Sequence, residues 1–276
     1  MLLKIKIFVP IFVLCSLPLF GQSNNLPGTR IIGGEEVPPH SEPFQVFLNF
    51  TGSDNTAWIC AGSLITASYV LTAARCGYGA TFVEVILGVH NISEIETTQI
   101  KLQSESITLH ENFKEDVSAY VSENDIAVIA LEESVTLTDS IQLVKLPSGD
   151  EPEETYVNKT GKVSGWGQTD AYNSSSLSSV LLSLENTIIS NEECTLVYND
   201  LKNYDICMKT VEGESPCVGD YGSPLVVDQV QVGIASQNVM YCIPGYPFVF
   251  TRVSSFLDWI KVNTDLVDNN DVTTTS

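Results

Sequence analysis

Residues 44–50 alternate loosely between apolar and polar positions, which predicts a strand with one buried face. Within residues 58–76, apolar and β-branched runs flank Thr66-Ala67-Ser68 and predict a hairpin-like pair. Asp125 heads a continuous apolar run, Ile126 to Leu131, which predicts a further strand. Residues 254–264 follow a different period. Phe256, Trp259 and Ile260 fall on one helical face, and Ser254 is placed as an N-cap, so a C-terminal helix is expected. A shorter helical turn is expected within 191–198. Trp166, between two glycines, is expected in the core, and no internal repeat is found.

The two ends of the chain read differently. Lys4 and Lys6 precede an apolar run over residues 7–20, and Gly21-Gln22-Ser23 closes it, the pattern of a secretory leader over residues 1–21. The alternative is a membrane anchor, but Pro10 and Pro18 interrupt the run and it is short for a span. Residues 22–30 form a polar spacer that ends in Arg30. Residues 265–276 are polar and acidic and are expected to fray. Between them, residues 31–264 form the expected folded unit.

Composition narrows the class. The chain has 276 residues, 43% of them hydrophobic, enough for one large β domain or two small ones. Eighteen glycines and twelve prolines suit many strands and turns. The formal charge is −21; without the first thirty residues, 10 basic residues face 34 acidic ones, a net −24. Such a chain repels nucleic acid and anionic membranes. Either a cationic partner or a merely solvated acidic surface fits this charge. Cys15 lies in the leader. The remaining Cys60, Cys76, Cys194, Cys207, Cys217 and Cys242 are even in number and predict three disulfides, whose pairing the count does not choose. No Cys-x-x-Cys or Cys/His cluster is present, and His40, His90 and His110 are the only histidines, so neither metal nor other cofactor is expected. Asn49, Asn91, Asn158 and Asn173 begin Asn-x-Ser/Thr sequons, as in a secreted glycoprotein.

Five landmarks stand in one order. Arg30 precedes Ile31-Ile32-Gly33-Gly34. Cys60-Ala61-Gly62-Ser63-Leu64-Ile65 is followed by Val70-Leu71-Thr72-Ala73-Ala74-Arg75-Cys76. Then come Asn124-Asp125-Ile126-Ala127-Val128, Gly165-Trp166-Gly167, and Gly219-Asp220-Tyr221-Gly222-Ser223-Pro224-Leu225. Together they resemble the chymotrypsin-like serine proteases, and residues 83–93 resemble the arthropod collagenase-like branch. The resemblance covers residues 31–264. It implies an all-β fold of two packed six-stranded antiparallel barrels with a C-terminal helix. It implies the disulfides Cys60–Cys76, Cys194–Cys207 and Cys217–Cys242, with residues 232–253 as the last strand pair. Ile31 would be the new N-terminus after cleavage at Arg30, and Asp220 the partner of its amine.

The same resemblance exposes two departures. Arg75 stands where the family keeps its histidine, and Tyr221 where it keeps its serine; Asp125 matches the aspartate. In that chemistry the serine hydroxyl attacks, the histidine takes its proton and the aspartate orients the histidine. Arginine is a poor base, because its pKa is above ~12. A tyrosine hydroxyl, with a pKa near ~10, has no neighbouring base to activate it. Loss of nucleophile or base costs about six decades in a comparable enzyme. Gly219 and Asp220, which shape the oxyanion loop, remain. The expectation is therefore a secreted protein that is not an enzyme. It would bind an extracellular protein, such as an active protease or a cationic partner, as cofactor, decoy or regulator, and would be a monomer. The alternatives are residual or unorthodox serine-type hydrolysis, and a structural or storage role without a specific partner.

Three local expectations follow. Arg75 should pair with Asp125, because an ionised carboxylate left alone in a buried cleft is strongly penalised, and Ser236 should add a hydrogen bond. Cleavage after Arg30 should still order the loop through Asp220. In the specificity pocket Ser215 falls at the floor, Gln237 replaces the usual tryptophan, and Asn238 and Phe248 replace wall glycines. Phe248 should fill that pocket unless it turns outward or into the barrel core.

Overall fold

The structure is a computed structural model and describes residues 31–116, 121–148, 156–237, 242 and 245–267. The expected leader, the spacer with Arg30, Asn238 and residues 268–276 of the tail lie outside the described residues. The first half contains β1 (Glu35–Glu36), β2 (Gln45–Gly52), β3 (Ala57–Thr66), β4 (Tyr69–Thr72), the one-turn helix α1 (Ala74–Gly77) and β5 (Ala80–Leu87). It continues with β6 (Ile100–Ser104), β7 (Ile107–Leu109), β8 (Lys114–Asp116), β9 (Val121–Glu123) and β10 (Ala127–Ala130). The second half contains β11 (Thr160–Gly165), β12 (Leu182–Ile189), the short α2 (Asn191–Cys194), β13 (Asp205–Met208) and β14 (Pro224–Val227). It ends with β15 (Val230–Gln237), β16 (Phe248–Arg252), a 3-10 turn (Val253–Phe256) and α3 (Leu257–Asn263).

The architecture is all-β and built on two barrels. In the second half six strands run in the order β12-β11-β14-β15-β16-β13, and antiparallel pairing of β13 with β12 closes them; β1 adds outside β12. In the first half the sheet runs β6-β5-β2-β3-β4-β10-β7. It curls until its end strands are consecutive stretches of chain, separated by Glu105 and Ser106. At that corner Ser104 Oγ donates to Ala130 O and Ala130 N donates to Ser106 O. Strands β8 and β9 form a separate hairpin.

Strand β2 shows how the pattern becomes packing. Side chains alternate along a strand, so Val46, Leu48 and Phe50 enter the first barrel's core with Leu64, Val70 and Val85. Phe47 faces the other way and meets Trp166 edge-on at 5.6 Å, in a cluster with Val37, Ile86 and Leu181 that joins the two halves. Gln45 crosses the same seam and donates from Nε2 to Ser164 O. The seam is thus apolar at its centre with a directional bond beside it, which fixes the barrels in one register.

The disulfides are Cys60–Cys76, Cys194–Cys207 and Cys217–Cys242, the pairs that the resemblance implies. The C-terminal helix forms, but its start differs from the sequence reading. Ser254 does not cap it; the chain enters through the 3-10 turn, and Phe256 occupies the cap position without a side-chain bond. The i→i+3 bonds of such a turn take up groups that a serine cap would otherwise satisfy. Ser254 is instead buried, and its Oγ has no partner among the described residues. Phe256, Leu257 and Ile260 pack into the first barrel's core, so the helix straps the second half back onto the first. The turn expected within 191–198 is shorter, α2, and Ser190 caps it by accepting from Glu193 N.

Candidate functional site

The site lies where α1, β9, the segment before β10, β15 and the loop before β14 converge. Strand β4 delivers the chain into α1, and the Cys60–Cys76 disulfide ties that one-turn helix to β3. Arg75 is held on it between the disulfide and the barrel wall. Its backbone N donates to Asp125 Oδ1 at 2.8 Å and its Nε to Oδ2 at 2.9 Å. Ser236 Oγ, from β15, donates to the same Oδ2 at 2.7 Å. Below, Thr251 Oγ1 donates to the Asp125 carbonyl. Asp125 is 1% exposed and the Arg75 side chain 14%. The ion pair and the serine bond expected between these residues are both present.

The other edge of the guanidinium is also occupied. Arg75 Nη2 donates to Ser122 Oγ on β9, and Ser122 N donates to Gln237 Oε1 at 2.9 Å. The Arg75 Cζ atom sits 4.8 Å from the centre of the Tyr221 ring. Burial pulls the Arg75 pKa down, but Asp125, with help from Tyr221, overrides it and raises it above the ordinary value. Burial raises the Tyr221 phenol, and the nearby carboxylates Asp125 and Asp220 add to that against the pull of Arg75. At neutral pH Arg75 therefore stays a cation and Tyr221 a neutral phenol, and neither is positioned as a free base.

The loop between β13 and β14 keeps a defined shape. Gly219 has φ of +99° and Gly222 of +83°. A Cβ on Gly222 would lie 2.2 Å from both Ala61 O and Thr72 Oγ1, so only glycine fits there. Ala61 N donates to Tyr221 O and Gly222 N to Ala235 O, which pins the loop to both barrels. Asp220 is fully buried. It accepts from Gly167 N at 2.8 Å and Cys217 N at 2.9 Å, yet burial outweighs both bonds and pushes its pKa up to about 7. Ile31 is fully buried in the second barrel's core; its neighbour Arg30 lies outside the described residues.

The pocket residues separate. Ser215 is buried, donates from Oγ to Pro216 O and pairs through its backbone with Ile32. Ser236 and Gln237 are buried and tied to Asp125 and Ser122 as described. Phe248 is fully buried, its ring 5.0 Å from that of Phe250, in one cluster with Ile31 and Met208. Its ring thus occupies space inside the second barrel. Asn238 is not among the described residues. Of the sequons, Asn158 and Asn173 are exposed; Asn49, within β2, and Asn91 are half-buried.

One participant and one contact escaped the sequence reading. Gln237 is expected only as a pocket residue, and Ser122 not at all, yet together they complete the clasp around Arg75; they are 115 residues apart and nothing local marks either as the other's partner. A second polar cluster was missed as well. His90 Nε2 lies 3.0 Å from Glu36 Oε1, His40 Nε2 lies 3.6 Å from Glu96 Oε2, and Glu96 accepts from the His90 and Asn91 amides. Among the described residues no group of three or more histidines, cysteines or acidic residues is arranged to hold a metal ion.

The family model described as Trypsin matches residues 31–260. The chain belongs to the trypsin family. It is 42% identical to a chymotrypsin of Phaedon cochleariae over 87% of this chain and 84% of that protein. It is 41% identical to brachyurin of Leptuca pugilator over 86% and 99%, and 36% identical to a collagenase of Hypoderma lineatum over 86% and 88%. A solved structure of HL collagenase matches with a TM-score of 0.77 at 36% identity, over 86% of this chain and all of that one. These relatives agree with the arthropod branch read from residues 83–93.

They also overturn one expectation. The chain was expected not to be an enzyme, because Arg75 and Tyr221 stand at two of the three relay positions. Its relatives over nearly their whole length are named as proteases, and nothing in the comparisons records a loss of activity in this lineage. The inference went too far because it equated one route of catalysis with catalysis as such. What the geometry fixes is narrower: Arg75 is committed to Asp125 and Ser122, so the histidine-type relay is not the arrangement present.

Proposed function

We propose that this trypsin-family protein is secreted as a glycoprotein and acts on extracellular proteolysis through the cleft between its barrels. There it takes a segment of another protein, such as an active protease or a cationic partner, and serves as cofactor, decoy or regulator. The observation that carries this reading is the Arg75–Asp125 pair under Tyr221. It fills the relay positions with a hydrogen-bonded, ion-paired cluster, while Gly219 and Gly222 hold the loop beside it at positive φ. A preformed loop beside a rigid floor is a surface suited to recognition.

The names of the relatives favour a second reading, serine-type hydrolysis on the same fold by a residual or unorthodox route. It would use the retained oxyanion loop and not the histidine relay. The two readings differ in turnover. The secreted chain, purified away from host proteases, is incubated with peptide and ester substrates beside its Tyr221→Phe variant, and partners are captured from the native fluid. Turnover in the parent that falls in the variant supports hydrolysis. Capture of a specific protein without turnover in either supports binding. Neither turnover nor capture would defeat both and leave a structural or storage role.

A further inference from the structure

The C-terminal strap is fastened to the first half at a titratable point. His110 stands in the turn between β7 and β8, where its N donates to Ile126 O and its O accepts from Phe113 N. The 3-10 turn and α3 close over its ring, leaving the side chain 11% exposed. Phe256 meets the ring edge-on at 5.3 Å, and Trp259 lies tilted against it, also at 5.3 Å. Beside this stack Trp259 Nε1 donates to Glu111 Oε2 at 3.0 Å. The helix that ties the second half to the first is thus held at His110 by two rings and at Glu111 by one bond.

The bonds of the imidazole fix where its protons go. Asn112 N donates to His110 Nδ1 at 3.2 Å, so the neutral ring keeps its own hydrogen on Nε2. A second proton must land on Nδ1. There it faces the Asn112 N–H, donor against donor, and that bond is lost. Glu111 Oε2 lies 3.9 Å from the same nitrogen, and it is the oxygen that Trp259 holds. An imidazolium would compete with Trp259 for it. Attraction to Glu111 and to the aromatic faces favours the cation, and burial opposes it. Burial wins, and the His110 pKa lies below its ordinary value in spite of Glu111. The neighbouring elements also carry Asp258 and Lys261 on α3, Lys114 and Glu115 on β8, Tyr204 against Phe256, and Asp125 ahead of β10. Of all these carboxylates and cations, Glu111 is the one whose charge bears on the ring.

We infer that His110 is an acid-released latch: protonation at Nδ1 breaks the Asn112 bond, draws Glu111 away from Trp259 and loosens α3 from the first half. A histidine whose folded pKa is lowered gives stability that is full above its ordinary value near ~6.5 and is lost as pH falls through the folded value. The sense is opposite to that of buried Asp220, whose raised carboxyl favours the fold in acid. Only a reading of α3 itself therefore isolates the latch. Leu257 and Ile260 stay buried in the first barrel's core, so the change is more frequent opening of α3 and not unfolding of the domain.

Amide hydrogen exchange of the whole secreted chain is followed at pH 7.5 and pH 5, with each rate corrected for the intrinsic effect of pH. Protection of Leu257–Asn263 in the parent should fall roughly threefold or more on acidification, while β2, in the same core, does not share the fall. His110→Asn keeps an acceptor for Asn112 N, and His110→Phe keeps the stack. Neither takes the proton, so in both variants the fall should vanish. Undiminished protection of α3 in the parent at pH 5 would overturn the inference. So would a fall of the same size in either variant, or an equal fall in β2.

Discussion

Two buried carboxylates flank the same loop, and they are kept in opposite ways. Asp125 is met by a guanidinium, a backbone N–H and a serine hydroxyl. Asp220 is met by two backbone N–H groups, and no basic side chain among the described residues helps to hold its charge. In the family resemblance the first carboxylate orients a histidine and the second receives the amine freed at Ile31. The difference teaches two ways to keep a buried carboxyl: give it a counter-charge, or let it lose its own. At Asp125 the Arg75 guanidinium supplies the counter-charge and makes a buried ion pair. At Asp220 the need for a cation persists, and burial drives the carboxyl toward protonation instead.

The sharpest way to break this contrast is to remove a partner. Arg75→Ala leaves Asp125 buried and unpaired and should lower stability at pH 7 by about 3–5 kcal/mol in urea unfolding. Asp220→Asn should cost only about 1 kcal/mol, because one backbone bond is lost and no charge pair is broken. Equal losses would erase the distinction between the two sites.

The second prediction concerns pH. The folded pKa of Asp220, about 7, lies above the ordinary unfolded value near ~4. Burial likewise pushes Asp205 up to about 7, even though it accepts a bond from Lys202 N. A raised carboxyl gives stability that is present in acid and is lost as pH rises through the folded value. The uncut chain should therefore lose a few kcal/mol between pH 5 and pH 7.5. Chain cut after Arg30, with Ile31 verified as the new terminus, should lose less, since the amine then supports ionised Asp220. The Asp220→Asn variant should also lose less. A flat profile for the uncut chain, or the same fall after cleavage, would count against the unpaired account of Asp220.

Smaller effects sharpen the Asp125 side. Ser236→Ala removes a hydrogen bond to a buried charge and should cost about 1.5–3 kcal/mol. Ser122→Ala loosens the clasp between β9 and β15 and should cost about 1 kcal/mol, since the outer edge of Arg75 can turn to water. If Ser122→Ala proved the more damaging, the clasp and not the ion pair would be the main support of the site.

Much of this was legible because the informative residues are short motifs in a fixed order. The pairing of cysteines, the two-barrel architecture and the Arg75–Asp125 contact follow from which residues occupy those motifs. The less legible features depend on long-range neighbours. Gln237 and Ser122 meet only after β9 and β15 are in place, and neither sits in a pattern of its own. A groove at Lys145 joins residues from five separate stretches, from Ser41 to Gln229. Ser254 misled because a serine before an apolar face resembles a cap, whereas the approach of β16 makes the chain enter the helix through a tighter turn. The expectation of inactivity failed for a different reason, since it rested on two positions and set aside the similarity of the rest of the domain to named proteases.

A double-mutant cycle on Arg75→Ala and Asp125→Ala tests the central claim most directly. Urea unfolding of the parent, both single variants and the double variant at pH 7 gives the coupling between the two side chains. The account predicts a stabilising coupling of about 2 kcal/mol or more, with the double variant recovering part of what Arg75→Ala loses. A coupling below about 0.5 kcal/mol, the value of an exposed pair, would contradict it and place Arg75 in solvent.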